Sequence, residues 1–297
     1  MIFKAIGRKI GDTVLYPAEQ PMPKTPADYG IEYKDVEFPA SDGVMLSGWL
    51  LNEGGASTII MTHFGYRANR FGYQTKYQGI LTKPYKKEIE FVHVAKRIVD
   101  AGYTVLMYDL RNHGLSGKSK LGVGTGGVDE SHDVQGAVKF VAEHESTGGK
   151  NIGLLSYCMG ANATFYAQSK DPDLFINSNV KALVAMQPLT NGEFLRAFGI
   201  KKGIFKHAEE HYKNHTGFSL DEPIMNHVAK VVTPTLLVQG RNDPWTNLDF
   251  IRELFETIPA EKEMEWLETT KHRFDGYNWF GDHPEKMLEW FNTHLQG

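Results

Sequence analysis

Cysteine is almost absent from this chain of 297 residues: Cys158 is the only one. A disulfide framework and a cysteine-built metal cluster are therefore excluded within the chain, and a lone thiol suits a reducing compartment. Long apolar runs are missing as well. No stretch reaches the ~18 uninterrupted apolar residues of a membrane span. The basic, broken start Met1-Ile-Phe-Lys-Ala-Ile-Gly-Arg-Lys-Ile10 lacks the apolar centre of a signal peptide. A soluble, cytoplasmic protein is the expectation. Neither charge is in excess: 32 basic and 36 acidic residues give −4. The short pairs Lys86-Lys87 and Lys201-Lys202 make no nucleic-acid footprint. The histidines and carboxylates show no HExxH-type spacing, so neither metal nor organic cofactor is expected.

The composition that remains, 41% hydrophobic and 23% charged, is ordinary for a globular chain and rules out a disordered or fibrous one. Pro17, Pro21, Pro23 and Pro26 predict an extended arm over residues 1–30. That arm either packs on its own domain or reaches a second copy in a homo-oligomer. From Ile31 the texture is strand-like. Glu32 to Phe38 and Val44 to Leu51 alternate around the turn Ser41-Asp42-Gly43. Apolar runs follow at Thr58 to Met61, Thr104 to Tyr108, Ile152 to Leu155, Ala182 to Ala185, Thr235 to Val238 and Glu263 to Leu267. Helix-length amphipathic stretches such as Phe91 to Ala101 and Asp129 to Glu143 lie between them. The pattern predicts one doubly wound α/β domain over 31–297 with a mainly parallel sheet of eight strands. The intervals 64–89 and 188–228 are too long for plain connections. The second holds helix-like Glu193 to Phe198 and Phe205 to Tyr212, which predicts a small helical cap between strands six and seven.

The strongest chemical signal is Gly153-Leu-Leu-Ser156-Tyr-Cys158-Met-Gly160-Ala-Asn-Ala163. An apolar strand runs into small-x-Cys-x-small and then into a helix start, the geometry of a nucleophile elbow. Small flanking residues are needed because the turn presses on its neighbours. With Ser156 as nucleophile, the flanking positions would be Leu154 and Cys158, and Leu154 is too large. On this pentapeptide alone, a buried small hydrophobe accounts for Cys158 equally well. Chain order adds weight, since an elbow nucleophile is followed by an acid and then a histidine. Asp243 follows the strand Leu236-Leu-Val-Gln-Gly240, although Asp-Pro also opens turns. Of twelve histidines, His272 alone lies in a loop just past the last strand.

On these residues the chain resembles the α/β-hydrolase superfamily from 31 to 295. Tyr108-Asp-Leu-Arg-Asn-His-Gly-Leu-Ser116 is similar to the D-x-R-x-H-G-x-S segment of that family, where it ties loops together, so Asp109 and His113 receive no catalytic role. Met61-Thr-His63-Phe-Gly-Tyr66 resembles its oxyanion turn, with Phe64 where a glycine is usual. The resemblance implies a Cys158-His272-Asp243 triad and oxyanion donors from the backbone of Met159 with Gly65 or Phe64. Each such donor is worth about 3 to 4 kcal/mol in comparable sites. The S-Y-C-M-G-A run resembles the elbow of dienelactone hydrolases. Tyr66, Tyr157, Trp245 and Phe274 are expected to bind an apolar small-molecule acyl substrate.

A thiol at a helix N-terminus beside a histidine supplies thiolate near neutral pH. Thiolate also leaves a tetrahedral intermediate more readily than alkoxide does. Alkyl esters and amides should revert, whereas thioesters, aryl esters and strained lactones go forward. The sequence therefore points to a cysteine-dependent acyl hydrolase working through an acyl-enzyme. An acyltransferase or cyclase using the same intermediate stands as the alternative, with a non-catalytic hydrolase-like binding protein as a rival from another class.

Overall fold

The central apolar runs become strands because each is buried on both faces, whereas the edge run at Lys262–Leu267 is half-buried. The computed structural model describes residues 2–17, 20–79, 82 and 85–296. Its main sheet contains β1 (Tyr33–Pro39), β2 (Met45–Leu51), β3 (Thr58–Thr62), β4 (Thr104–Tyr108), β5 (Ile152–Tyr157), β6 (Val180–Met186), β7 (Thr235–Gly240) and β8 (Lys262–Leu267). Their spatial order is β1-β2-β4-β3-β5-β6-β7-β8. β2 runs antiparallel to β1 and β4, and every other pairing is parallel. The eight-stranded, mainly parallel α/β architecture expected from the sequence is what the chain forms.

The helices are α1 (Ile2–Leu15), α2 (Phe91–Asp100), α3 (Ser131–Glu143), α4 (Met159–Lys170), α5 (Pro172–Asn177), α6 (Asn191–Ala197), α7 (Lys202–Thr216), α8 (Met225–Val228), α9 (Leu248–Thr257), α10 (Arg273–Asp282) and α11 (Glu285–Leu295). Period-two alternation divides the core. Ile59, Val105 and Leu155 face a layer containing α2, α10 and α11 residues such as Ile98, Phe280 and Phe291. Ile60, Leu106 and Leu154 face α3, α4 and α9 through Val138, Phe165 and Ile251. Both faces are thus dry, as a parallel sheet requires.

Helices α6, α7 and α8 occupy the interval between β6 and β7. Part of the other long interval forms a two-stranded pairing of Gly72–Tyr73 with Ile89–Glu90. The N-terminal segment departs from the extended arm expected over 1–30. Its prolines all lie beyond residue 16, so Ile2–Leu15 is free to coil as α1. Gly7 and Gly11, one turn apart on the same face, let α1 lie directly on α7. A Cβ at Gly7 would stand 2.5 Å from the His207 Cβ and 2.8 Å from the Ile204 carbonyl oxygen. Asp12 Oδ1 lies 2.7 Å from His211 Nε2 at the same contact.

Replacing Gly7 by valine should lift α1 from α7, because one obstacle is backbone and cannot rotate away. Hydrogen exchange is expected to show α1 amides losing protection while those of β3 to β7 keep theirs. Unchanged α1 protection would contradict this reading of the contact.

Candidate active site

The site is built where β5 ends. Cys158 sits between β5 and α4 with φ 51 and ψ −110. A non-glycine residue at positive φ costs on the order of 1–3 kcal/mol and persists only where neighbours enforce it. The enforcement is visible. Cys158 N–H donates to Met186 O at 2.8 Å, clamping the turn to the end of β6. A Cβ at Gly160 would meet the carbonyl oxygens of Thr62 and His63 at 2.6 Å each, so glycine is required there. Ser156, the rival nucleophile, is fully buried and shares a 2.8 Å hydrogen bond with Thr164 Oγ1.

The thiol faces a pocket of about 650 Å³, mouth included, with walls that include Phe64, Tyr66, Met159, Phe194, Trp245 and Phe274. Thr13, Val14 and Pro17 close one side and Leu189 to Asn191 another, so α1 and the segment leading into α6 both shape it. Of the expected aromatic contacts, Tyr66, Trp245 and Phe274 reach the pocket. Tyr157 does not. It follows β5's alternation to the other side, packing 4.6 Å from Phe91 and 5.9 Å from Tyr277 by ring centroid. Its hydroxyl is buried without a partner, and burial pushes its pKa well above the ordinary value.

The expected oxyanion turn is held from below. His63 Nε2 accepts Leu110 N–H at 3.0 Å and its Nδ1 faces Phe64 O at 2.7 Å. His113 lies with Nε2 2.6 Å from Gly65 O and Nδ1 2.7 Å from Arg111 O. Asp109 accepts from the N–H of Arg70 and of Leu115 and is ion-paired with Arg70. The Asp109–Ser116 segment therefore ties loops together, as the resemblance implies. Gly65 presses on the Met159 side chain, where a Cβ would come within 2.5 Å of Sδ. Among the described residues, no acceptor takes the N–H of Phe64, Gly65 or Met159. Phe64, Gly65 and Met159 all line the pocket.

The three residues expected as a triad are not joined by hydrogen bonds. Asp243 is buried and held by Arg273 instead, with Nη2 2.8 Å from Oδ2 and side-chain exposures of 1% and 0%. It also accepts from Thr246 Oγ1 at 2.6 Å and from Trp245 N at 3.0 Å, the Asx turn that Asp-Pro suggested. Burial raises its pKa, but the Arg273 charge and these donors outweigh burial and leave it below the usual carboxylate value. His272 caps α10, its Nδ1 accepting Phe274 N–H at 3.2 Å. The proton of the neutral ring therefore sits on Nε2, which is buried without a partner. This is the opposite tautomer from a base that accepts at Nε2. The ring stacks on Tyr85 at 3.8 Å and meets Trp245 at 4.8 Å. Burial, only partly offset by Asp243 and Asp275, lowers its pKa to about 4.

Sequence reasoning missed a second polar pair at the pocket. Arg273 and Tyr277 are one turn apart on α10, and both line the pocket. Arg273 Nη1 donates to Tyr277 Oη at 2.8 Å and to Gln187 O at 2.6 Å, and Nη2 to Thr246 Oγ1 at 2.6 Å. The i, i+4 spacing was legible. That Arg273, and not its neighbour His272, turns toward Asp243 was not.

Comparison with known proteins agrees with this architecture. A family profile described as alpha/beta hydrolase fold matches residues 79–202, a stretch that includes the elbow but neither Asp243 nor His272. The polyketide transferase af380 of Aspergillus fumigatus is 29% identical over 163 residues, 54% of this chain and 47% of that protein. The polyketide transferase ATR5 of Stachybotrys chlorohalonatus is 28% identical over 160 residues, 53% and 45% of the two chains. The chain thus spans about half the length of the curated relatives it matches. Among solved structures, the Pyrococcus furiosus esterase Pf2001 superposes with a TM-score of 0.70 at 22% identity, over 94% of this chain and 99% of that one. Among the described residues, no helix is long and apolar enough to cross a membrane.

The buried His63 makes a pH dependence testable. Burial, with His113 beside it, lowers its pKa to about 3, whereas an unfolded histidine titrates near 6.5. As pH falls the unfolded chain takes up this proton first. The stability contributed by neutral His63 is full above ~6.5 and is lost as pH drops toward the folded value. The urea midpoint of His63→Asn should therefore decline less than that of the wild type between about pH 6.5 and 4. Equal declines would contradict the assignment.

Proposed function

Because this chain has the α/β-hydrolase fold, we propose that Cys158 is the nucleophile of an acyl-transfer enzyme. It takes the acyl group of a thioester, activated ester or lactone onto its sulfur. One observation carries this reading: the chain's single thiol sits at a strained strand-to-helix elbow, against free backbone N–H groups, on the wall of an apolar pocket. Buried strain of this kind is expected where function needs it.

In the first half-reaction the thiol proton leaves to solvent and the thiolate attacks the acyl carbonyl carbon. The carbonyl electron pair collects on oxygen, facing the N–H of Met159 and of Gly65 or Phe64. The bond to the leaving group then breaks, and that group departs with the electron pair and takes a proton from water. In the second half a water molecule attacks the acyl-cysteine and the thiolate is released. His272 accepts the proton of that nucleophile. For this its ring leaves the α10 cap and its own proton moves to Nδ1, facing Asp243. Among the described residues, Oδ1 of Asp243 takes only the Trp245 N–H, so it has room for the new bond. In its capped position burial lowers the ring's pKa to about 4, so it enters this step neutral and able to accept a proton.

Hydrolysis is the leading reading. Transfer to an alcohol, amine or carbon acceptor is the second, supported by the likeness of half this chain to polyketide transferases. In that reading the apolar pocket holds the acyl group while water is kept from it.

The test is turnover of an acyl thioester and an aryl ester by the wild type, Cys158→Ala and Cys158→Ser, with and without added acceptors. Cys158→Ala should lose activity by 10²-fold or more, on the order expected for loss of a nucleophile. His272→Ala should slow release of the acyl group more than its capture. Free acid as the sole product supports hydrolysis, and an acceptor adduct supports transfer. Full activity in Cys158→Ala would remove the proposal, and activity in Cys158→Ser on every substrate tested would remove the special role of sulfur.

A further inference from the structure

Acceptance of Cys158 as nucleophile leaves open what holds its sulfur while His272 is engaged as a helix cap. Among the described residues, the charged or titratable ones that share the pocket with the thiol are Tyr66, His113, Arg273 and Tyr277, with Asp243 behind Arg273. His113 is engaged with two carbonyl oxygens. Tyr277 and Cys158 line the same pocket, and the Tyr277 oxygen receives the Arg273 Nη1 hydrogen at 2.8 Å. With its oxygen accepting from a cation, the phenol directs its own hydrogen outward. Arg273 is in turn fixed by Asp243 Oδ2, Gln187 O and Thr246 Oγ1. These partners come from β6's end and from the loop after β7, so the line is over-determined.

We infer that Tyr277 donates the hydrogen bond that stabilises the Cys158 thiolate, and that Arg273, anchored by Asp243, positions Tyr277 for it. This rests on the reading of Cys158 as nucleophile, and it goes further by moving the early work on sulfur away from histidine. Tyr277 touches the reacting atom and is a catalytic residue. Arg273 is a positioning residue. The tyrosine keeps its proton throughout, since burial holds its ionisation well above the ordinary range. Asp243 thereby serves two stages: through Arg273 it supports the thiolate, and through Oδ1 it is open to His272 during release of the acyl group. The paired charges also explain why a fully buried guanidinium is tolerated beside an apolar pocket, since an unpaired one would be severely penalised.

The test uses alkylation of Cys158 by iodoacetamide, followed by mass across a pH series with no substrate present. Tyr277→Phe keeps the ring packed on Phe64 and leaves Arg273 its other partners, so folding should be retained, checked by the urea midpoint. Its alkylation rate at neutral pH should fall about tenfold, the loss of one charge-assisted hydrogen bond, and its profile should move to higher pH. Arg273→Lys, which keeps the charge but not the fork, should move it the same way by less. A Tyr277→Phe profile that overlays the wild type would overturn the inference. Alkylation needs no acyl substrate, so the two claims fail separately. A shifted profile in a protein without acyl turnover would sink the proposed function alone. Normal acyl turnover with an unshifted profile would sink this inference alone.

Discussion

Everything at this site depends on one backbone constraint, the single-residue turn at Cys158 from β5 into α4. A side chain at φ 51 and ψ −110 is held clear of the strand and clear of the helix, so the thiol has nowhere to go but the pocket. The turn exists because three neighbours close on it: Met186 O from β6, the Thr62 and His63 carbonyls at the end of β3, and the Met159 side chain against Gly65. The same contacts fix the Phe64–Gly65 turn relative to the sulfur. A sheet of parallel strands ending at one level makes this arrangement available, which is why the chemistry lies at the carboxyl ends and not on the faces.

Electrostatics give the site its second layer. The buried Asp243–Arg273 pair adds no net charge to an apolar pocket, yet it presents a fixed dipole through Tyr277 toward the thiol. Such pairs are poor evidence of stability, because desolvation offsets most of the attraction. Their value lies in preorganisation: donors already in place need not reorganise when charge develops on sulfur or on the carbonyl oxygen. Helix α1 and the segment leading into α6 complete the enclosure with small and apolar groups, and the close docking of α1 on α7 needs glycine at positions 7 and 11.

Much of this was legible in the sequence. The strands announced themselves as continuous apolar runs, because burial on both faces leaves no room for alternation. The elbow was readable from Gly160 and from the poor fit of Ser156, and the reason lies in the carbonyls packed against Gly160. Other features were hidden. Prolines at 17 to 26 suggested an arm, but they act only locally and leave Ile2–Leu15 free to be a helix. Tyr157 adjoins the nucleophile in sequence and turns to the other side of β5. His272 and Arg273 are consecutive, so chain order could not reveal which would face Asp243. That choice is set by α10, whose N-terminus takes the imidazole as its cap and points the next residue inward.

The central claim is that this lone thiol carries an acyl group. The direct measurement is the intact mass of the protein quenched within milliseconds to seconds of mixing with an acyl thioester, with the modified peptide then mapped. The account predicts a mass increase of one acyl group, located on Cys158 and decaying as product appears. A protein that turns the substrate over with no adduct on Cys158, or with the adduct on another residue, would contradict it.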